Sequence, residues 1–354
     1  MVYGMTGDII RIIGIAIATS LIFLSVHGAA LPPGFCFPDN GTLSLGVFAP
    51  HSSSSGEGFI ILEDISAFQK ATGKKPAIAV FSDEWSIDKK FPLEIVTSIR
   101  NLGMTPYVRL MMRSTDKPYQ KEPVYTLKNI ALGKFDGELR AWARQARAFG
   151  SPIIIEYGTE INQWSYPWNG YWNSNDYGQV LFKDAYRHIQ RIMNEEGASN
   201  LIFAYHMNAE SQPDESWNNA TSYYPGDEYC DVITVSLYGT KKPFETGKKD
   251  FTEIMNKVTS ELERASIFKP VLISTGTDMR NRFVDPASFV KDAVSSLSGQ
   301  TWPGVKAFIW HNAAWKNDNN PLHDSTMRLQ DNSSVSQAFQ SALLNTRIKD
   351  QLSC

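Results

Sequence analysis

The residues of this chain best equipped for chemistry lie in one stretch, Pro152 to Gly170, which reads PIIIEYGTEINQWSYPWNG. It opens as a short apolar run rich in β-branched residues, the composition of a strand buried on both faces. It then turns polar and aromatic within a few residues: Glu156 and Glu160, next Asn162, next Trp164 and Trp168 in a segment broken by Pro167 and Gly170. A carboxyl group can act as general acid or base, and indole rings can stack on the apolar faces of a sugar. In parallel sheets ligands bind at the carboxyl ends of the strands, which is where this segment falls. The combination implies a sugar-processing site.

Cleaving a glycosidic bond takes two carboxyl groups flanking the anomeric carbon, about 5–5.5 Å apart when configuration is retained. Glu160 is the candidate acid/base. Glu156 is not its partner, because four residues of extended strand span roughly 13 Å. It is expected deeper in the fold, orienting His206 or Arg109 from adjacent strands, or sitting there as a satisfied interior charge. The candidates for the second catalytic carboxylate are Asp278, which a turn at Gly276 would have to swing in, and Glu84 or Asp83, with a water activated elsewhere as the inverting alternative. In the run Val232 to Tyr238, the alternation of Val232, Thr234, Ser236 and Tyr238 against Ile233, Val235 and Leu237 puts the polar set inside and Tyr238 at the mouth. Trp85, Trp164, Trp168, Trp172 and Trp310 are candidate stacking surfaces. Asn162, His206 and Thr275 complete the candidate substrate-binding set.

These residues need elements to hold them. Strands are read at 44–49, 77–81 and 106–112, in the central stretch, and at 201–205, 232–237, 270–273 and 305–310. Helical periodicity is read at 59–70, from Pro92 through Ile95, Ile99 and Leu102, and at 136–149, 182–196, 251–265, 286–297 and 335–344. Each strand ends in polar or aromatic residues. Eight strands alternating with helices predict an α/β fold, a (β/α)8 TIM barrel, as a single domain over 44–354.

The chain has 354 residues, 42% hydrophobic and 12% aromatic, which suffices for one large core. The net charge of -3 and the lack of a Lys/Arg cluster argue against nucleic acid. Residues 1–30 read as a signal peptide: Arg11, an apolar run from Ile12 to Val26, then Gly28-Ala29-Ala30. A retained N-terminal membrane anchor is the alternative, and either places the body outside the cell. Residues 31–43 read as a linker. Three Asn-X-Ser/Thr sequons, at Asn40, Asn219 and Asn332, are compatible with that compartment. The three cysteines form neither a disulfide scaffold nor a metal-ligand spacing, and no metal or cofactor is expected. Cys36 and Cys354, at the two ends of a closed barrel, could pair in an oxidising compartment. Cys230 is expected as a buried thiol. The protein is expected to be a monomer with a polysaccharide or oligosaccharide substrate.

The run EYGTEINQWSYPW resembles the acid/base segment of glycoside hydrolase family 26, the β-mannanase family of the retaining barrel clan. The likeness extends to Gly46-Val47-Phe48, to GKFDGELRAWARQARAFGSPIII, to Phe182 through Tyr205, to Tyr224-Pro225-Gly226-Asp227 with Asp231 and Tyr238, and to Lys269-Pro270-Val271. It covers Ser44 to Trp315. The resemblance implies that Glu160 is the acid/base, that Trp164 and Trp168 line subsites, and that Tyr238 lies beside the nucleophile. The chain departs from the family at three places. An Arg and a His that usually precede the acid/base by four residues and by one are Glu156 and Thr159. The nucleophilic Glu ending strand seven is Thr275, and a threonine hydroxyl cannot replace a carboxylate without an activating base. Two readings follow: a secreted hydrolase of a β-linked polysaccharide, or a glycan-binding barrel that lost turnover with that nucleophile. An extracellular barrel with no sugar role is the third.

Overall fold

The computed structural model describes Met1, residues 31–50, Ile60, and residues 62–247, 249–265, 267–298 and 301–354. The expected leader or anchor and the Ser/Gly loop at 51–58 lie outside these residues. The elements run β1 (Leu43–Phe48), α1 (Leu62–Thr72), β2 (Ile78–Glu84), α2 (Leu93–Asn101), β3 (Thr105–Met111), α3 (Leu127–Ala131), α4 (Asp136–Phe149), β4 (Ile153–Tyr157), α5 (Asp176–Glu195), β5 (Leu201–Asn208), β6 (Val232–Tyr238), α6 (Phe251–Arg264), β7 (Val271–Gly276), α7 (Pro286–Ser298), β8 (Val305–His311), β9 (Ala314–Trp315), β10 (Ser325–Thr326), α8 (Ser333–Leu343) and β11 (Ile348–Lys349). Strands β1 to β8 pair in order and in parallel, and β8 pairs with β1. The sheet is closed, with helices outside it: a single-domain (β/α)8 TIM barrel.

Strand alternation sorts the side chains into two layers. Ile78, Val80, Ile154, Ile202, Ala204, Val232, Leu272, Ala307 and Ile309 fill the barrel interior. Their neighbours in sequence, such as Val108, Ile155, Val235, Ile273 and Phe308, point outward into the layer shared with the helices. The inner apolar layer occupies the lower part of the barrel, and further along the same strands the inward positions become polar: Arg109, Glu156, His206, Ser236 and Ser274.

Helix α4 shows how the outer layer is built. Leu139, Trp142, Ala143 and Ala146 recur at helical spacing and are buried. Trp142 packs edge-on against Phe91 with ring centroids 4.9 Å apart. Truncating a buried ring of this size costs about 3–5 kcal/mol. The helix stops at Gly150, left-handed with φ 73°, a conformation glycine adopts without a Cβ penalty. Its bounds are those expected from the sequence. Helix α5 begins at Asp176 rather than at Phe182, and α3 and β11 were not anticipated, being too short to show a period.

Residues 31–42, read from the sequence as a linker, pack beneath the barrel. Phe35 and Leu352 are buried against the inner apolar layer, and Phe37 packs edge-on to Phe35. Strand β11 pairs with β1, and a disulfide joins Cys36 to Cys354 across 318 residues of sequence. Both ends of the body thus close the bottom of the barrel. Cys230 is a buried free thiol.

Candidate active site

The inward side chains at the carboxyl ends of the strands enclose a pocket. It is lined by Phe48 of β1, Tyr107 and Arg109 of β3, Glu156 of β4, His206 of β5, Thr234 and Tyr238 of β6, Ser274 of β7, Ile309 and His311 of β8, and by Thr159, Glu160 and Tyr166 after β4. Each strand contributes alternate residues, as parity requires.

Glu156 is the floor of this pocket and is fully buried. Tyr107 and Thr159 donate their hydroxyl protons to it. His206 Nδ1 lies 2.7 Å from Oε2, and Arg109 Nε pairs with Oε1 at 3.6 Å. Burial alone would raise the carboxyl's pKa, but His206 and Arg109 outweigh it and hold the group below the usual carboxylate range. Both neighbours that the sequence proposed for Glu156 are present. On its far side His206 Nε2 meets Ser236 Oγ at 2.8 Å, and Thr234 lies 2.8 Å from the Tyr107 hydroxyl. Arg109 also donates to Thr159 Oγ1 at 3.3 Å and to the Tyr166 hydroxyl at 3.1 Å, and lies over the Phe48 ring.

Glu160 does not continue strand β4. The strand ends at Tyr157, Gly158 takes φ 85°, and Glu160 itself takes φ 46°. A left-handed turn costs a non-glycine residue of order 1–3 kcal/mol, and such strain gathers at functional sites. Here it swings Glu160 over the pocket that Glu156 floors. Glu160 is half-buried, and among the described residues its carboxylate makes no hydrogen bond or ion pair. Tyr238 faces it. Burial raises the phenol's pKa and the charge of Glu160 adds to this, whereas hydrogen bonding from Ser274 and Ser236 opposes it.

The structure brings Glu160, His206 and Tyr238 of the expected set together. It places the others elsewhere. Asp278 is buried, accepts hydrogen bonds from the backbone N–H groups of Arg280 (2.8 Å) and Thr326 (3.0 Å), and does not line the pocket. Burial raises its pKa, and the Thr326 and Arg280 backbone hydrogen bonds oppose the rise. Thr275 points outward and its buried hydroxyl has no partner among the described residues, while Ser274 takes the inward place. Trp310 also points outward, donating Nε1–H to Met327 O at 2.8 Å and packing on Phe339. In both cases the cause is parity, since a one-residue offset moves a side chain to the other face.

Trp168 is buried behind the pocket wall, stacked on Tyr166 at 5.0 Å, with Nε1–H donated to Thr159 O. Asn162 binds Asn208 through both ends of its amide, at 2.8 Å each, and so ties the turn after β4 to the end of β5. Trp85 is buried against Tyr125 beside a separate cavity near α4. Glu84 is held by Arg113 through both carboxylate oxygens, and Asp83 points outward to accept from Trp142 Nε1 at 2.9 Å. Trp164 is half-buried outside the pocket, in a cluster with Tyr119, Tyr171 and Trp172. Tyr107, Tyr166, Ser274 and His311 were absent from the expected set. Strand alternation counted back from each polar strand end would have found all but Tyr166.

A family model described as glycosyl hydrolase family 26 matches residues 138–314, half of the chain, from α4 through β8. Endoglucanase H of Acetivibrio thermocellus is 27% identical over 215 residues, which are 59% of this chain and 22% of that protein. Among solved structures, Bacillus subtilis mannanase man26 superposes with a TM-score of 0.56 at 15% identity, covering 89% of this chain and 88% of that one. A Cellulomonas fimi endo-beta-1,4-mannanase double mutant superposes with a TM-score of 0.61 at 14% identity, covering 88% of this chain and 72% of that one. At these identities the two structures speak for the fold.

Proposed function

Because the chain belongs to glycosyl hydrolase family 26, we propose that it hydrolyses a β-linked polysaccharide, a β-mannan or related β-glucan, with Glu160 as general acid/base. The observation that carries this reading is the placement of Glu160: a carboxylate lifted over the pocket by a left-handed turn, its oxygens uncommitted among the described residues. An acid/base must reach the leaving oxygen and later a water, and a carboxylate engaged like Glu156 could do neither. The half-buried Trp164 and the exposed Tyr119 and Tyr171 nearby offer faces for further sugar units. The apolar run Ile12 to Val26 and the disulfide support action outside the cell, secreted or membrane-anchored.

The second reading is a glycan-binding barrel without turnover. It is favoured by the carboxylates that line the pocket among the described residues, Glu160 and the fully engaged Glu156. The experiment is release of reducing ends from mannan, glucan and xylan by the body from Leu31, with Glu160→Gln beside it. Release by the parent that Glu160→Gln abolishes is the expected result. No release, with saturable binding that survives Glu160→Gln, would establish the second reading.

A further inference from the structure

We propose that Trp168 is the positioning residue of the acid/base: its indole N–H holds the peptide before Glu160 and so fixes the left-handed turn that carries the carboxylate over the pocket. The inference rests on the hydrolase reading above.

The backbone on either side of Glu160 can be accounted for bond by bond. The φ and ψ of a residue are the rotations of its two flanking peptide planes, so Glu160 stays at φ 46° only while both planes are held. The plane after it is held by backbone groups: Glu160 O accepts from Gln163 N–H at 2.8 Å, and Ile161 N–H donates to His206 O of β5 at 3.1 Å. The plane before it is held by a side chain, for Thr159 O accepts from Trp168 Nε1–H at 2.8 Å. Amides meet the later carbonyls, Ile161 O by Asn169 Nδ2 at 2.7 Å and Asn162 O by Asn218 Nδ2 at 2.9 Å. Those two bonds fix the segment beyond the turn. The bond at Thr159 O acts on the very peptide whose rotation is the φ of Glu160.

Trp168 is placed to hold this bond rather than to meet a sugar. It is 2% exposed. Tyr166 stacks on it, with rings within 9° of parallel and centroids 5.0 Å apart, and Tyr157 lies 6.0 Å away. The stack reaches back to the pocket floor, since Arg109 donates to the Tyr166 hydroxyl at 3.1 Å and pairs with Glu156. The ring is thus held in place and its N–H with it. A left-handed turn is unfavourable for a residue with a Cβ, and a buried carbonyl without a donor is unfavourable too. Without the indole N–H the buried Thr159 loses the donor to its carbonyl. Nothing then holds that peptide, and Glu160 relaxes out of the left-handed region, taking its carboxyl away from the leaving oxygen.

The test compares kcat/KM on mannan and glucan with kcat/KM on dinitrophenyl β-mannobioside and β-cellobioside, whose leaving group needs no acid. Trp168→Phe retains a ring against Tyr166 and removes the donor. It should lose about a hundredfold on polysaccharide, the effect of displacing a catalytic group by about 1 Å. On the dinitrophenyl glycosides it should lose less than about threefold. A variant with 3-benzothienylalanine at position 168, in which sulfur replaces the N–H in a ring of the same shape, should show the same split, which lost packing would not produce. Trp142→Phe, an equally buried indole that donates to Asp83, controls for the smaller ring and should show no split. Parent-like polysaccharide hydrolysis in the sulfur variant, or an equal loss on both classes of substrate, would overturn the proposal. Should Trp168→Phe fail to fold by circular dichroism, the sulfur variant decides. A parent inactive on every substrate would overturn the hydrolase reading, and the proposal with it.

Discussion

Glu156 draws its hydrogen bonds and its ion pair from four side chains inside the barrel, and each of those groups is oriented around its negative charge. Removing it would break the buried pair with Arg109 and leave the Tyr107 and Thr159 hydroxyls and the His206 ring without the acceptor they are aimed at, and breaking a buried pair typically costs about 3–5 kcal/mol. Glu156→Ala should therefore lower the unfolding free energy by about that amount in urea titration; a change below about 1 kcal/mol would mean that solvent reaches the floor. Asp83 makes a different claim. Burial pushes its carboxyl up to about 7 from an ordinary value of 3.8, against the opposing Trp142 hydrogen bond and with some help from Glu84. The folded state thus favours the protonated form. The stability this gives is complete at acid pH and is lost as pH rises from about 4 to about 7. Asp83→Asn cannot ionise, so it should be more stable than the parent at about pH 8 and close to it below about pH 4. An equal difference at both pH values would contradict the assignment.

At the level of elements, the turn after β4 decides where the acid/base stands. Gly158 has φ 85°, and a Cβ there would meet Phe182 Cζ at 2.7 Å. Gly158→Ala should shift the β4 terminus, lower kcat more than it raises KM, and reduce thermal stability; unaltered kcat would mean that the turn does not position Glu160. The strands, the order of helices and the barrel were legible because apolar periodicity is strong over eight repeats. The mouth was legible where alternation was applied, as in β6, whose Thr234, Ser236 and Tyr238 all face inward. Where a strand end was read by residue type instead, parity intervened: Thr275 and Trp310 are the outward neighbours of Ser274 and His311. Trp168, Asn162 and Asp278 were chosen for chemistry they could do, but in the fold they carry backbone hydrogen bonds. Such commitments depend on loops from distant segments, and no local pattern encodes them.

Across the whole molecule, the body is a closed sheet whose two ends meet beneath it. The Cys36–Cys354 bond encloses nearly the entire body in one covalent loop. Loop closure of that length restricts the unfolded chain, and removing such a bond typically costs about 2–5 kcal/mol. Cys354→Ser, or the parent in excess reductant, should lose that much while keeping the pocket at the opposite end intact. Unchanged stability in both would show that β11 and the Phe35–Leu352 contact hold the ends together unaided. The terminal pairing also explains why residues 31–42 look like a linker in sequence: their Pro and Gly content serves a packed plug and a turn, with Pro32 and Pro38 buried.

The role of Glu160 is the claim on which the account turns, and it is tested most directly by the leaving-group dependence of Glu160→Ala. A general acid matters for the poor leaving group of a polysaccharide and hardly at all for dinitrophenolate. The account predicts that Glu160→Ala loses polysaccharide hydrolysis while still cleaving dinitrophenyl β-mannobioside or β-cellobioside, and that azide accelerates this cleavage to give a β-glycosyl azide. Equal loss on both substrates with no response to azide would contradict it.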